Sequence, residues 1–270
     1  MNFRRDVNLR TLIMGILNCT PDSFSDGGLY VDPVKAVAHA RKMIADGCDI
    51  VDVGGESTRP GYTPVDDEVE LSRVLPVVKE LASDKTIISV DTTHELVAKA
   101  CVEACGKIII NDISGDLKAS NFADLAAAND CGLVIMFNAR QSGECEESII
   151  SRALAEVSDN IEYALSKGVK EDNIIVDPGI GFGTTRDQDI ELTNELSKLS
   201  FDGRFPILYA ASRKRIIKEL SSFASDPDLK DDASDALALF AVSKGASIIR
   251  THRIAPLKAQ LEVFDRFTGG

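Results

Sequence analysis

Thr86-Ile87-Ile88-Ser89-Val90-Asp91 is a short β-branched run that ends on a carboxylate. Lys107-Ile108-Ile109-Ile110-Asn111-Asp112-Ile113 repeats the pattern and ends on an amide and a carboxylate. Between them, residues 94–104 carry apolar side chains at helical spacing, and Gly106 stands where that helix has to stop. Both runs are apolar on both faces, as parallel strands buried between layers are. Strand, helix, glycine, strand is a βαβ unit, and it decides the fold because it recurs along the chain.

Six further runs share these features, at 11–18, 50–56, 132–138, 173–177, 206–212 and 247–252. Helical stretches separate them, at 32–45, 66–82, 121–129, 145–167, 187–198, 214–222 with 231–244, and 255–266. Asp32-Pro33 sets a cap before a first-turn proline. Asp91 through Glu95 and Ser120-Asn121 offer further caps. Gly47, Gly106, Gly132, Gly168 and Gly245 are the expected exits. Eight such units at roughly 30-residue spacing predict an α/β chain closed as a (β/α)8 TIM barrel, with a doubly wound open sheet as the alternative. No linker or low-complexity segment divides it, so 1–270 reads as one domain.

Composition narrows the partners. Apolar residues at 44% supply a full core, while a net charge of −13 disfavours nucleic acid and anionic membranes. No apolar run spans a bilayer, and no signal-peptide core follows Met1, which predicts a cytoplasmic protein. Cys19, Cys48, Cys101, Cys105, Cys131 and Cys145 form no C-x-x-C pair and read as reduced thiols. Cys101 and Cys105 lack enough nearby ligands for a metal.

In a barrel of this kind the active site forms where strands end. The run ends here are Asn18, Glu56, Asp91, Asn111-Asp112, Met136-Phe137-Asn138, Asp177, Ser212-Arg213-Lys214 and Arg250-Thr251-His252. Taken singly, Asp91 could cap a helix, Asp112 could brace a loop, Asp177 could start a turn and Lys214 could be solvated. Together, Asp91, Asn111, Asp177 and Lys214 form a donor and acceptor surface for a flat amino-heterocycle such as a pterin or guanine. Met136 and Phe182 could pack on its faces. Asn18, Arg250 and His252 meet where the last strand closes on the first, and they suit a diphosphate with Mg²⁺. His39 falls within a helix and His94 at a helix start, and both read as structural or exposed. The loops holding 20–28 and 57–61 are rich in Gly, Ser and Pro and read as lids.

Ordered strings over almost the whole chain resemble the dihydropteroate synthases. They are Met14-Gly15-Ile16-Leu17-Asn18 through Thr20-Pro21-Asp22-Ser23-Phe24-Ser25-Asp26-Gly27-Gly28, then Glu56-Ser57-Thr58-Arg59-Pro60-Gly61 and Ser89-Val90-Asp91-Thr92. Ile110 through Gly115, Asp177 through Gly183 and Ser212-Arg213-Lys214 follow in order. The resemblance implies condensation of 6-hydroxymethyl-7,8-dihydropterin diphosphate with p-aminobenzoate. It implies pterin binding by Asp91, Asn111, Met136, Asp177, Phe182 and Lys214. It also implies a diphosphate site of Asn18, Arg250 and His252, with Asn18 as the Mg²⁺ ligand. Phe24, Thr58, Arg59, Pro60 and Ser212 would bind p-aminobenzoate, and Asp91, Asp177, Lys214 and Arg250 would be catalytic. A homodimer is implied as well. The chain departs from the family pattern at Phe137, Thr184, Ala210 and Arg253. A non-catalytic pterin-binding paralogue and a methyltetrahydrofolate-binding methyltransferase are the rival readings.

Overall fold

The structure is a computed structural model that describes residues 10–20, 32–56, 64–84, 86–141 and 147–268. Among the described residues, eight strands run parallel. They are β1 (Leu12–Asn18), β2 (Ile50–Gly54), β3 (Ile87–Asp91), β4 (Ile109–Asp112), β5 (Gly132–Met136), β6 (Ile174–Asp177), β7 (Leu208–Tyr209) and β8 (Ile248–Thr251). Their order is β6-β5-β4-β3-β2-β1-β8-β7. The two ends of that row meet through a parallel bridge between Val176 and Ile207, where Val176 N–H donates to Pro206 O at 2.9 Å. The sheet is a nearly closed barrel, and the open-sheet alternative falls.

The connecting helices are α1 (Pro33–Ala45), α2 (Asp67–Leu81), α3 (Glu95–Cys105), α4 (Phe122–Asn129), α5 (Ile149–Ser166), α6 (Arg186–Asn194), α7 (Arg215–Leu220), α8 (Pro227–Ser243) and α9 (Ile254–Thr268). Asp32 caps α1 as expected, its carboxylate accepting from Val34 N–H and Lys35 N–H. The stretch predicted at 187–198 divides into α6 and a 3₁₀ turn at Leu196–Ser200. Gly132 ends no helix. It is the first residue of β5, and Asp130 takes the left-handed turn after α4 at φ 54°. None of the described helices is long and apolar enough to cross a membrane.

The alternation of the strands places the site. Leu12, Met14, Ile50, Ile109, Val134, Ile175, Leu208 and Ile248 form one apolar cluster inside the barrel. Their neighbours in sequence, among them Ile13, Val51, Ile110, Leu133, Val176 and Ile249, join the layer under the helices. Side chains repeat every two residues along a strand. The next inward step is therefore Ile16, Asp52, Ser89, Asn111, Met136, Asp177, Ala210 and Arg250. An apolar floor supports a layer in which five of the eight positions are polar.

Candidate active site

Arg250 organises this layer. Its Nε donates to Asp52 Oδ2 at 2.6 Å and its Nη2 to Asp91 Oδ2 at 2.6 Å. Asn111 Nδ2 lies 3.3 Å from each oxygen of Asp52. Side chains of β2, β4 and β8 thus meet at one fully buried carboxylate, Asp52, and Arg250 carries the network on to Asp91 of β3. Burial pushes Asp91 up to about 7, with Arg250 opposing and Asp52 adding to the rise. Burial works against the charge of Arg250 too, but Asp52 and Asp91 outweigh it and raise its pKa. The floor beneath is apolar, so the polar groups answer mainly to one another.

Asp177 ends β6 beside Met136, its register partner on β5. Its Oδ1 accepts from Gly179 N–H at 2.7 Å. Burial raises the Asp177 pKa and Lys214 opposes the rise. Lys214 follows β7, donates to Ile180 O at 2.8 Å and stands 4.5 Å over the Phe182 ring. Burial pulls Lys214 down to about 8, with Asp177 opposing. Arg140 lies 5.3 Å from the same ring centroid. Phe182 therefore carries cations over an aromatic wall that borders the carboxylates.

Between Ser212 and Lys214, Arg213 adopts φ 59°, an uncommon conformation for a residue with a side chain. Two bonds of 2.7 Å to Asp231 and one from its N–H to Ser234 Oγ hold it there. The turn presents Ser212 to β8, where Ser212 Oγ and His252 Nδ1 lie 3.0 Å apart. Asn18 closes β1 and is paired in register with Gly54, which is itself paired with Asp91.

The sequence-predicted residues Asp91, Asn111, Met136, Asp177 and Arg250 thus share the barrel interior. Lys214, Phe182, Ser212 and His252 line its rim. Phe24, Thr58, Arg59 and Pro60 lie outside the described residues. Asp91 is no helix cap. His94 occupies the N-cap position of α3 and Thr92 Oγ1 accepts its N–H. Asp112 braces its own loop by accepting from Ser114 N–H at 2.9 Å. Asp52 was not anticipated. The signal was a lone carboxylate in the middle of a run that is otherwise apolar on both faces.

The departures from the family pattern have local explanations. Phe137 is buried in the layer under the helices. Thr184 Oγ1 donates to Asp189 Oδ1 at 2.5 Å and accepts from Gly181 N–H at 3.0 Å, tying down the loop after β6. Arg253 faces α8, with Nη1 2.6 Å from Asp232 and Nε 3.6 Å from Asp235. The small Ala210 at the end of β7 is buried.

Comparison with known proteins agrees with this arrangement. The pterin-binding enzyme family matches residues 14–252. A dihydropteroate synthase from Staphylococcus haemolyticus is 40% identical over 245 residues, covering 91% of this chain and 90% of its own. The solved structure of Xanthomonas albilineans dihydropteroate synthase with 4-aminobenzoic acid superposes with a TM-score of 0.88 at 34% identity, covering 97% of this chain and 94% of that one. The same enzyme in complex with 7,8-dihydropteroate gives a TM-score of 0.85 at 32% identity, covering 97% and 95%. The chain belongs to the pterin-binding enzyme family, as a member of its dihydropteroate synthases.

Proposed function

We propose that this chain condenses 6-hydroxymethyl-7,8-dihydropterin diphosphate with p-aminobenzoate, giving 7,8-dihydropteroate and diphosphate in folate biosynthesis. The observation that carries this reading is the polar layer of Asp52, Asn111, Asp177 and Arg250, with Asp91 and Lys214 beside it, above an apolar floor. Such a layer accepts one flat polar ring. Asp177 takes the paired N–H donors of the pterin's aminopyrimidinone edge. Asn111 matches an adjacent donor and acceptor, and Lys214 donates to the carbonyl or a ring nitrogen. Met136 and Phe182 pack on the ring faces. Arg250, anchored by Asp52 and Asp91, keeps its orientation.

The aniline nitrogen attacks the pterin CH₂, a C–N bond forms, the C–O bond to diphosphate breaks, and the aniline proton leaves. Positive charge that develops on the pterin is met by Asp91 and Asp177, fixed in place before the reaction. Asn18, Arg250 and His252 take the leaving diphosphate, and Ser212 joins Phe24, Thr58, Arg59 and Pro60 around p-aminobenzoate. Asn18 offers one amide oxygen, which fits Mg²⁺ because that ion keeps waters and substrate phosphates as its other ligands. When bound, Mg²⁺ supplies charge neutralisation to the leaving group.

One domain, 1–270, carries the reaction in this reading. A homodimer is supported by exposed apolar side chains on the last helices, Phe240 of α8 and Val263 and Phe267 of α9. A reducing cytoplasm accords with five unpaired cysteines among the described residues. The test is turnover with the two substrates, read as diphosphate release. Pterin binding without release would leave a non-catalytic pterin-binding protein, and methyl transfer from a methylated folate would sink the synthase reading.

A further inference from the structure

Outside the substrate residues, Glu56 after β2, Glu70 of α2 and His94 before α3 converge. His94 Nε2 lies 3.2 Å from Glu56 Oε2 and 3.9 Å from Glu70 Oε2. One ligand atom from each residue falls within 4.8 Å of the others. On the far side of the ring, His94 Nδ1 is 2.5 Å from Asp67 Oδ1. With its Nδ1 proton directed to Asp67, His94 presents Nε2 to the two glutamates. Burial opposes a charge on the ring, but Asp67, Glu70 and Glu56 outweigh it, so this position takes a proton and a metal ion would replace that proton. A histidine held through its second nitrogen by a carboxylate is also how metal ligands are oriented.

A second observation concerns Glu70. Its side chain is fully buried, on the same helix face as Val74, Val77 and Leu81. Thr92 Oγ1 donates to its Oε2, the oxygen nearer His94, at 2.8 Å; the Gly55 backbone also favours the charged carboxylate, and Oε1 has no partner at normal hydrogen-bond geometry. A buried carboxylate short of partners is costly, and a cation bound by both its oxygens would offset that cost.

We infer that Glu56, Glu70 and His94 form a binding site for a divalent transition-metal cation, with Asp67 orienting the histidine. Imidazole with carboxylates suits Zn²⁺ better than Mg²⁺ or Ca²⁺. Ligands about 2.0 Å from a tetrahedral zinc stand about 3.3 Å apart, so Glu56 and His94 already have that spacing and Glu70 must move closer. A fourth position is left for water. The site ties the end of β2 to the starts of α2 and α3, and it does not depend on the proposed reaction.

The test is titration of chelator-treated full-length protein with Zn²⁺ in a calorimeter, with Co²⁺ and its visible absorption as a second probe. The wild type takes up Zn²⁺ saturably and its Tm rises. His94→Asn abolishes that uptake, and Asp67→Asn weakens it about 10- to 100-fold through the histidine alone. Glu56→Gln, altered at a partly exposed side chain, weakens uptake while keeping the native circular dichroism. Zn²⁺ uptake unchanged in both His94→Asn and Glu56→Gln would overturn the assignment. So would a folded wild type that takes up neither metal, because His94 would then be a protonated partner of the two glutamates.

Discussion

Arg250 and Asp52 are 198 positions apart in sequence and 2.6 Å apart in the barrel. The contact crosses the interior from β8 to β2, past the intervening β1. Arg250 also holds Asp91, so a single guanidinium joins two carboxylates on adjacent strands. Removing one partner of a buried ion pair is costly because the other charge remains. Asp52→Ala is expected to lose about 3 kcal/mol of stability in urea denaturation. Turnover is expected to fall by about 100-fold through the misplaced guanidinium. Asp52→Asn keeps one acceptor and should lose less of both. Wild-type stability in Asp52→Ala would show that Arg250 does not need this partner.

Lys214 is a cation held half-buried at the barrel rim at a cost. Burial lowers it from the ordinary 10.5 to about 8, against the pull of Asp177. Between those two values the unfolded chain binds more protons than the folded one, so stability rises with pH across that window. Below about 8 both states are protonated and the folded state carries the full penalty. Lys214→Met should therefore stabilise the ligand-free protein at neutral pH, and its advantage should shrink as pH climbs toward 10.5. Denaturant midpoints at several pH values measure this, and a constant gap between the two proteins would refute it. The same variant should lose pterin binding.

The barrel was legible because parallel strands buried on both faces leave a local record. Each run of Ile and Val, such as Ile87-Ile88-Ser89-Val90, is apolar without regard to its partner, and the helices between have their own period. Boundaries slipped where tertiary contacts decide. The run at 206–212 yields only Leu208–Tyr209 as strand, because its ladder beside β6 is a single bridge. The polar ends of the runs marked Asp91, Asn111, Asp177 and Arg250 by position alone. Asp52 was invisible because it sits one inward step below a strand end, and its meaning lies in Arg250, far along the chain. His94 looked unremarkable for the same reason, since Glu56, Asp67 and Glu70 reach it from two other elements.

Gly179 follows the Asp177-Pro178 turn at φ 70°, and a Cβ added there would meet the Phe137 carbonyl oxygen at 1.7 Å. Gly203 has a similar φ of 78° but open space around it. The left-handed conformation costs an alanine about 1–2 kcal/mol at either position. Only at Gly179 does backbone stand in the way. Gly179→Ala should lose more than about 4 kcal/mol, or fail to accumulate as folded protein. Gly203→Ala should lose about 1 kcal/mol. The Gly179 change should also release the Asp177 carboxylate from its 2.7 Å bond and weaken pterin binding. Equal losses at the two positions would show that the backbone conformation, and not the clash, sets the cost.

Arg253 is one of the departures from the family pattern, and an acid in its place should harm this protein. Arg253 faces Asp232 and Asp235 on α8, at 2.6 and 3.6 Å. Burial pushes Asp235 up to about 6, and Arg253 is the main influence opposing it. Arg253→Asp replaces that cation with a third carboxylate, so the Asp235 pKa rises further. A carboxylate raised in the folded state leaves the folded protein with more protons than the unfolded chain, so its stability falls as pH rises through the raised value. The deficit of Arg253→Asp relative to the wild type should therefore be small near pH 5 and grow to about 1–2 kcal/mol near pH 8. Adding Asp235→Asn to Arg253→Asp should remove most of that pH dependence, which paired denaturation curves at the two pH values measure. A deficit that ignores pH, or that survives unchanged in the double variant, would mean that Arg253 contributes only through packing.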